Sequence, residues 1–371
     1  MKALLFANTD WYLYNFRLSL AKALQQQGFD VVLLSPPGKY GPLLKDAGFT
    51  WIQFPLSRRG MNPFYEILTI LRLAKIYQSI NPDIVHHFTI KCILYGSAAA
   101  KMIRIKKIIN AVTGLGYLFM ENDIKTAFLR LIVNPFYRIA LVNTWVIFQN
   151  PDDKEKFINN KLVDNAHSRI IRGSGVDVSE FHCHEEPPDP PLVLLASRML
   201  WSKGIADFVE AARIIRVTGV QARFVLVGDS YPDNPDSIPG QQLLDWQLEG
   251  AVEWWGWHDD MAEIMQKCHI FCLPSSYREG VPRALIEAAA TCRAIVTTDI
   301  TGCREIVKDG LNGYLVPPKD PQALAGRILD LIQNPQLRSE MGKFGREVVR
   351  REYSDQTVIS ETLQLYYQNS L

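Results

Sequence analysis

Short apolar runs of strand length alternate with longer, helix-forming stretches through both halves of the chain. Runs that are apolar along their whole length are typical of parallel strands, which helices cover on both faces of the sheet. The predicted strands are 2–7, 30–35, 50–54, 83–88, 107–112 and 144–148 in the first half, and 192–196, 222–228, 251–255, 270–273, 294–298 and 313–316 in the second. The predicted helices of the first half include 16–27, 63–80 and 124–142. The alternation therefore predicts two α/β domains, each built on a parallel sheet.

The length of the chain and one proline-rich stretch predict where the domains meet. The chain has 371 residues, enough for two domains with separate cores. A polar, proline-rich stretch at 182–191 is typical of a flexible linker. We predict a first domain over 1–180, a second over 190–352 and a final helical segment over 353–371. His182, Cys183 and His184 alternate in this linker, but a flexible segment makes a poor metal cage.

Charge and cysteine content exclude several classes of protein. A formal net charge of +1 argues against a general nucleic-acid-binding protein. The six cysteines show neither a paired nor a zinc-like spacing, and most lie in apolar runs, which predicts buried free thiols in a reducing compartment. The first apolar run is too short for the core of a signal peptide, so we predict that it is the first strand of a cytoplasmic protein.

The segment 275–288 predicts a ligand site. It follows the predicted strand 270–273 and leads directly into a predicted helix over 284–291, with Pro282 in the first helical turn, where a missing N–H costs nothing. Gly280 would let a ligand approach the backbone closely. Open parallel sheets bind ligands at the carboxyl ends of their strands, and the N–H groups of a first helical turn favour an anion.

Two acidic and two basic residues accompany this predicted anion site. Glu279 lies in the turn and Glu287 lies on the helix. Because carboxylates repel phosphate, cations must lie close by. Arg198 and Lys203 follow the predicted strand 192–196. The Arg198 guanidinium can donate two parallel hydrogen bonds to a phosphate, and the Lys203 ammonium can act as a point charge.

The spacing of Glu279 and Glu287, with Arg198 and Lys203 upstream, resembles the signature of the retaining family 4 glycosyltransferases. The resemblance covers nearly the whole chain. It implies the GT-B fold, in which two Rossmann-like, doubly wound domains face each other across a cleft. The first domain would bind the acceptor, the second would bind the donor, and the segment 353–371 would cross back onto the first domain.

The resemblance also implies roles for these residues. The donor would be a UDP-sugar, with Glu279, Arg198 and Lys203 as the catalytic residues and Glu287 on the ribose hydroxyls. The remaining donor-binding residues would be Gly280, Val281, Pro282, Arg283, Ala284 and Trp257. The stretch around Trp257 resembles the one that seats the nucleotide base, through backbone contacts rather than stacking. The cations would replace a divalent metal, so no metal or other cofactor is expected.

The acceptor is suggested by two loops of the first domain. The loop 8–17 is aromatic and lacks the glycine fingerprint of dinucleotide-binding dehydrogenases. Together with the run 112–117, it resembles a bacterial subgroup that adds sugars to polyprenyl-diphosphate-linked acceptors. The implied function is transfer of an N-acetylhexosamine or a hexose to a lipid-linked or glycan acceptor, in the assembly of surface polysaccharides or glycoprotein glycans.

The predicted acceptor-cleft residues are Asn15, Arg17, His86, His87, Lys91, Thr113 and Gly114. Adjacent residues of a strand point to opposite faces, so at most one of the two histidines can face the ligand. Asn15 and Arg17 open the predicted helix 16–27, where a cap and a solvated charge are the alternative interpretation. Gly114 is also compatible with a simple tight turn.

Two segments of the first domain combine cations with large apolar residues, 101–107 and 128–138. Charged residues interrupt both, and Asn134 and Pro135 also interrupt the second, so neither is expected to span a bilayer. Either they lie on an anionic membrane surface, which would place the protein on the inner face of the cytoplasmic membrane, or they are ordinary packed helices.

Two other functions fit the same architecture. A nucleotide-sugar epimerase shares the GT-B fold but should place its carboxylates and histidines differently. A non-catalytic protein that binds a nucleotide-sugar or a carbohydrate would be favoured if Glu279, Glu287, Arg198 or Lys203 were missing, and all four are present.

Overall fold

The computed structural model describes residues 1–56, 63–114, 124–277 and 280–368, with Pro63 and 124–132 described by backbone alone. The contacts divide the chain into two compact units. The N-terminal unit contains Met1–Ser174 and Asp355–Leu371, and the second unit contains Gly175–Ser354. Each unit is described by itself below.

The N-terminal unit is built on a seven-stranded sheet in which every pair of neighbours is parallel, in the order β3-β2-β1-β4-β5-β6-β7. Its strands are β1 (Lys2–Phe6), β2 (Asp30–Ser35), β3 (Thr50–Gln53), β4 (Ile84–Phe88), β5 (Lys107–Val112), β6 (Trp145–Phe148) and β7 (Ser168–Ile170). Its helices are α1 (Asp10–Gln26), α2 (Gly41–Asp46), α3 (Pro63–Ile80), α4 (Ile90–Met102), α5 (Ile124–Leu141), α6 (Pro151–Asn159) and α14 (Asp355–Tyr367). β4, β5 and β6 are buried at every position, as strands covered on both faces must be.

Helix α1 begins six residues before the predicted start at position 16. Thr9 caps it, because its Oγ1 accepts a hydrogen bond from the backbone N–H of Tyr12 at 3.0 Å, and Asp10 lies in the first turn. The prediction that Asn15 and Arg17 open this helix is therefore wrong. The aromatic residues that follow Thr9 hid the start, since they carry no helical periodicity.

The second unit repeats the architecture with six parallel strands, in the order β10-β9-β8-β11-β12-β13. Its strands are β8 (Leu192–Ala196), β9 (Arg223–Val227), β10 (Glu253–Trp254), β11 (Ile270–Leu273), β12 (Ala294–Thr298) and β13 (Gly313–Val316). Its helices are α7 (Ile205–Val217), α8 (Gly240–Leu248), α9 (Met261–Gln266), α10 (Arg283–Ala290), α11 (Cys303–Ile306), α12 (Pro321–Gln333) and α13 (Pro335–Val348).

The central strands of this sheet divide their side chains between two apolar layers. Val193 and Leu195 of β8 join the layer that contains Phe208 of α7, whereas Leu194 joins the layer that contains Leu285 of α10. Each such fully buried side chain contributes about 1.5–3 kcal/mol to stability. The carboxyl ends of the strands are thereby held at one edge of a rigid sheet.

The proline-rich stretch at 182–191 is not the flexible linker that its composition predicts. It belongs to the second unit, where the Glu186 carboxylate pairs with the buried guanidinium of Arg338 at 2.6 Å. The His269 ring is hydrogen-bonded to the carbonyl of Pro187 at 2.9 Å. These contacts fix the stretch against the body of the unit.

The prediction that the cysteines are buried free thiols is correct for four of them and wrong for two. Cys92, Cys268, Cys272 and Cys303 are free and buried. Cys183 and Cys292 form a disulfide, and their Cα atoms are 5.2 Å apart. The pairing was hidden because 109 positions separate the two residues.

Within the described ranges of the chain, no helix combines the length and the apolar character needed to cross a bilayer.

Candidate functional site

The strand order of the second sheet reverses between β8 and β11, which are neighbours. In open α/β sheets, ligands bind at the carboxyl ends of the strands at this switch point. The segments that leave these two strands are 197–204 and 274–282. They contain the cations and the turn that the sequence predicts as a phosphate site.

The two segments are locked together by backbone contacts. Gly204 adopts the left-handed conformation with φ 73°, and a Cβ at this position would lie 2.0 Å from the carbonyl oxygen of Pro274. The backbone N–H of Ser276 donates to the carbonyl of Ser202 at 2.9 Å. Only glycine permits this approach, which brings the segment with Arg198 and Lys203 against the segment that leads to α10.

The two cations lie on an exposed loop and a short turn. The Arg198 side chain is exposed, and Lys203 is half-buried in the 3₁₀ turn Trp201–Lys203. Asp236 holds this turn, because its carboxylate accepts hydrogen bonds from the Ser202 hydroxyl and, at 3.3 Å, from the Ser202 backbone N–H. Asp236 was missed in the sequence, where no spacing connects it to the turn.

Helix α10 begins at Arg283, and Pro282 precedes it with extended backbone, φ −63° and ψ 119°. The prediction that Pro282 lies in the first helical turn is therefore wrong by one position. The Pro282 ring offers no acceptor to the first N–H groups, and no cap from a described side chain is seen at this helix. This N-terminus suits an anionic ligand.

Glu287 lies in the second turn of α10 and is only 8% exposed. Its Oε1 accepts a hydrogen bond from Nε of Arg283 at 2.7 Å. Burial raises the pKa of the Glu287 carboxyl above its usual value, and the charge of Arg283 opposes that rise. No described residue donates to its second oxygen, so that oxygen can accept a hydrogen bond from a ligand hydroxyl.

Glu279 lies outside the described residues, so its predicted role stays a prediction. Of the two residues that follow it, Gly280 is half-buried and Val281 is 9% exposed. Ala284 is half-buried in the first turn of α10. Among the described side chains, no group of three or more His, Cys, Asp and Glu residues is arranged to hold a metal ion.

The tryptophans near β10 support the loops of the site. The Trp254 indole N–H donates to the carbonyl of Gly228 at 2.8 Å, and a Cβ on Gly228 would lie 1.9 Å from the carbonyl oxygen of Ser197. Trp257 is 39% exposed, and its indole N–H donates to Asp259 at 3.0 Å. The base-binding role of the Trp257 stretch stays a prediction.

The N-terminal unit has its own switch point, between β1 and β4, where Arg17 and His86 lie close together. Arg17 is 6% exposed and is not the solvated charge of the alternative interpretation. Its Nη2 donates to the Tyr12 hydroxyl at 2.8 Å, and its guanidinium carbon lies 4.4 Å from the centre of the Phe88 ring. Aromatic faces therefore stabilise this buried cation.

The two histidines face opposite sides of the sheet. His86 Nδ1 is hydrogen-bonded to the Tyr366 hydroxyl of α14 at 2.9 Å, and its Nε2 has no hydrogen-bond partner among the residues that the structure describes. Burial, with the nearby charge of Arg17, lowers the pKa of His86 well below its usual value. Thr113, Arg17 and His86 line one small cavity of about 10 Å³, room for about one water molecule.

His87 is part of a buried polar network. The Oδ1 of Asn110 accepts from Ser97 at 3.0 Å and lies 2.8 Å from His87 Nδ1, so this nitrogen must carry the proton. His87 Nε2 then accepts from the Tyr77 hydroxyl at 3.1 Å. Both ring nitrogens are used inside the fold, which leaves His86 as the histidine that lines a cavity.

The other predicted acceptor residues have partners within the unit. Lys91 pairs with Glu66 at 3.3 Å, and the Asn15 amide donates to the carbonyl of Trp11 at 3.0 Å. Gly114 has φ 154°. Their contact with an acceptor stays a prediction.

Two family models match the chain, one in each unit. A model described as "Glycosyl transferase 4-like" matches residues 2–150, and one described as "Glycosyl transferases group 1" matches residues 190–334. The chain belongs to the family 4 glycosyltransferases. The predicted transferase class and the GT-B fold of two parallel-sheet α/β domains are confirmed.

Relatives of the enzyme match it over most of their length. It is 29% identical to an "N,N'-diacetylbacillosaminyl-diphospho-undecaprenol alpha-1,3-N-acetylgalactosaminyltransferase" of Campylobacter jejuni, with 95% of each chain covered. It is 25% identical to a "UDP-Gal:alpha-D-GlcNAc-diphosphoundecaprenol alpha-1,3-galactosyltransferase" of Escherichia coli, over 80% of this chain and 78% of that one. A glycosyltransferase structure from Rickettsia africae has the same fold, with a TM-score of 0.80, 20% identity and coverage of 98% and 97%.

The contact at Gly204 predicts a stability difference between two glycine variants of the enzyme. Gly219 also has positive φ, 81°, but a Cβ there would meet nothing within 4 Å. Backbone strain alone should lower the free energy of unfolding of Gly219→Ala by roughly 1–2 kcal/mol. In Gly204→Ala the free energy of unfolding should fall by about 1–3 kcal/mol more, because the Pro274 carbonyl must move. Urea unfolding of both variants measures the difference, and equal losses would contradict the close approach.

The buried His87 predicts that acid destabilises the enzyme. Burial lowers the pKa of His87 to about 4, whereas a histidine of the unfolded chain has a pKa near 6.5. As the pH falls from about 6.5 to about 4, the unfolded chain binds a proton that the folded chain refuses, so stability present above pH 6.5 is lost. At pH 5 this loss is roughly 2 kcal/mol. Urea unfolding at pH 7.5 and pH 5 should show a shallower pH dependence for His87→Gln, and parallel curves would refute this explanation.

Proposed function

We propose that the enzyme transfers a sugar from a UDP-sugar to a polyprenyl-diphosphate-linked sugar acceptor, with retention at the anomeric carbon. The observation that carries this proposal is the backbone contact of Gly204 with Pro274, which brings the Arg198 and Lys203 segment against the segment leading to α10. The relatives' printed names, which include a UDP-galactose donor and undecaprenyl-diphosphate-linked acceptors, support the choice of substrates.

The second unit would bind the donor. A nucleoside diphosphate carries negative charge that needs cations and N–H donors at close range. Arg198 and Lys203 supply the cations, and the N-terminus of α10 supplies the N–H groups. Glu287 would take the ribose hydroxyls with the carboxylate oxygen that Arg283 leaves open.

Catalysis would depend on charge stabilisation at the leaving group. The bond between the anomeric carbon and the diphosphate breaks, and a bond from that carbon to the acceptor oxygen forms on the same face of the sugar. The departing phosphate oxygen takes the proton of the acceptor hydroxyl. Arg198 and Lys203 stabilise the charge that develops on the diphosphate, so the proposal needs no metal ion. Glu279 would position the donor sugar.

Substitution of Lys203 or Glu279 should strongly slow transfer without unfolding the enzyme. Lys203→Ala and Glu279→Gln should each lower kcat roughly a hundredfold or more, as loss of one preorganised charge-stabilising group does elsewhere. The measurement is release of UDP from a panel of UDP-sugars with an undecaprenyl-diphosphate-linked sugar, in the presence of EDTA.

Two substitutions on α9 serve as matched controls for this assay. Lys267 and Glu263 form an exposed i,i+4 ion pair, so Lys267→Ala and Glu263→Gln remove the same groups away from the site. They should retain near-normal turnover. Near-normal turnover in Lys203→Ala or Glu279→Gln would refute the assignment of that residue, and loss of wild-type activity in EDTA would refute metal independence.

The proposed lipid-linked acceptor also requires a membrane contact, which we assign to the N-terminal unit on the cytoplasmic face of the membrane. Phe136 and Ile139 of α5 are 62% and 66% exposed, Arg138 of the same helix is exposed, and the Lys101 ammonium donates to the carbonyls of Ile139 and Val142. Large apolar side chains with basic neighbours suit the surface of an anionic bilayer.

Helix α3 extends this surface in a way that the sequence did not reveal. Phe64, Tyr65 and Ile67 are exposed near its start, with the exposed bases Arg72 and Lys75 further along. Like α5, α3 packs against α4.

Apolar residues of α5 should strengthen sedimentation with vesicles that contain phosphatidylglycerol. Wild type should bind these vesicles at low salt and less at high salt, and Phe136→Ser with Ile139→Ser should weaken binding several-fold. A matched pair, Val217→Ser with Leu248→Ser, removes residues that are 89% and 83% exposed in the second unit and should bind normally. Absence of wild-type sedimentation would contradict the membrane contact.

A further inference from the structure

An open cavity of about 420 Å³ lies in the N-terminal unit where strands β1 and β2 end. This volume is typical of a small-molecule site. Its walls come from the start of α1, the segment after β2 and one residue after β3; the lining residues used below are Asn8, Asp10, Trp11, Pro36, Lys39 and Leu56. The edge is the one where parallel sheets bind ligands.

The walls of this cavity are held by one buried carboxylate. Asp10 is 5% exposed, and its Oδ2 accepts from the backbone N–H groups of Tyr40 at 2.8 Å and Gly41 at 2.9 Å. Its Oδ1 accepts from the N–H of Trp11 at 2.9 Å. A Cβ on Gly38 would lie 2.3 Å from Asp10 Oδ1, so the segment after β2 needs glycine to lie this close. The cavity is therefore preorganised.

The lining of the cavity matches a sugar ring. Trp11 offers an indole whose ring is backed edge-on by Phe16, with centroids 4.9 Å apart, and Pro36 and Leu56 add apolar walls. No described residue bonds the Trp11 indole N–H or the half-buried amide of Asn8. A pyranose has an apolar C–H face that packs on an aromatic ring, and hydroxyl groups at its edge that pair with amides.

The charge of the cavity disfavours a phosphate. The buried Asp10 carboxylate lines it, and among the lining residues that the structure describes only Lys39 is a cation, 5.0 Å from the centre of the Tyr40 ring. The donor diphosphate has a better site in the second unit, at Arg198 and Lys203. A neutral ring fits this cavity better than an anion.

We propose that this cavity is a subsite for a neutral pyranose of the acceptor glycan, which stacks on Trp11 and is hydrogen-bonded by Asn8. The proposal rests on the proposed function, because it names the part of the acceptor that the N-terminal unit recognises. Trp11 would then be a binding residue that sets the affinity for acceptor and leaves the affinity for donor unchanged.

Free sugars test the subsite without relying on transfer. The probes are the methyl α-glycosides of N-acetylglucosamine, N-acetylgalactosamine and galactose, with saturating UDP present to occupy the donor site. Saturation-transfer NMR should show contact between the enzyme and the ring protons of at least one probe. The signal should disappear in Trp11→Ala, weaken in Asn8→Ala and persist in Trp11→Phe, whose ring keeps the stacking face.

Kinetics give the second readout. Trp11→Ala should raise the KM for acceptor at least tenfold, and the melting-temperature shift caused by UDP-sugar alone should equal that of wild type. Phe344→Ala, which removes a 38% exposed ring from the second unit, is the matched control and should change neither quantity. An unchanged melting-temperature shift with UDP-sugar would also show that Trp11→Ala is folded.

The outcomes separate this inference from the proposed function. Absence of a signal from all three probes, or a signal that survives Trp11→Ala, overturns the subsite even if transfer is observed. A probe signal that depends on Trp11, in an enzyme that transfers no sugar to a lipid-linked acceptor, supports the subsite and overturns the proposed acceptor.

Discussion

The approach of Gly204 to the Pro274 carbonyl sets the geometry on which the second unit depends. Two neighbouring parallel strands, β8 and β11, deliver their following segments to the same edge of the sheet, and the left-handed glycine lets these segments touch. Without that contact, a loop bearing cations and a turn leading to a helix N-terminus would be separate surface features. With it, they form one face on which charge can be stabilised, because both are held by a buried sheet rather than by each other's side chains.

The same topology produces a different electrostatic environment in the N-terminal unit. At its switch point, Arg17 is buried against aromatic rings, and burial keeps His86 neutral. The neighbouring cavity is lined by the carboxylate of Asp10, which accepts hydrogen bonds from backbone N–H groups. In the second unit, by contrast, Arg198 is exposed. One arrangement of strands thus presents exposed positive charge in one unit and buried polar groups in the other, which suits a charged ligand and a neutral one.

The sequence predicted what depends on local pattern and failed where packing decides. Strands β5 and β8 match their predicted bounds residue for residue, since burial on both faces leaves an uninterrupted apolar run. Which side of the sheet His86 faces depends on the helices that cover each side. The pairing of Cys183 with Cys292 depends on how the fold brings together two residues that are 109 positions apart in the sequence. The ion pair of Glu287 with Arg283 follows from i,i+4 spacing and was open to prediction, but the acid was considered only as a ligand contact.

Helix α14 has a consequence for how the chain acquires its structure. Residues 175–354 form the second unit as one continuous segment, whereas the N-terminal unit needs 355–371 in addition to 1–174. α14 contributes Val358, Leu365 and Tyr366 to the N-terminal core, and the Tyr366 carbonyl accepts from the Lys107 ammonium at 2.7 Å. During synthesis the second unit can close its core first. The N-terminal unit, although made first, stays incomplete until α14 arrives, with His86 still lacking the hydroxyl that holds its ring.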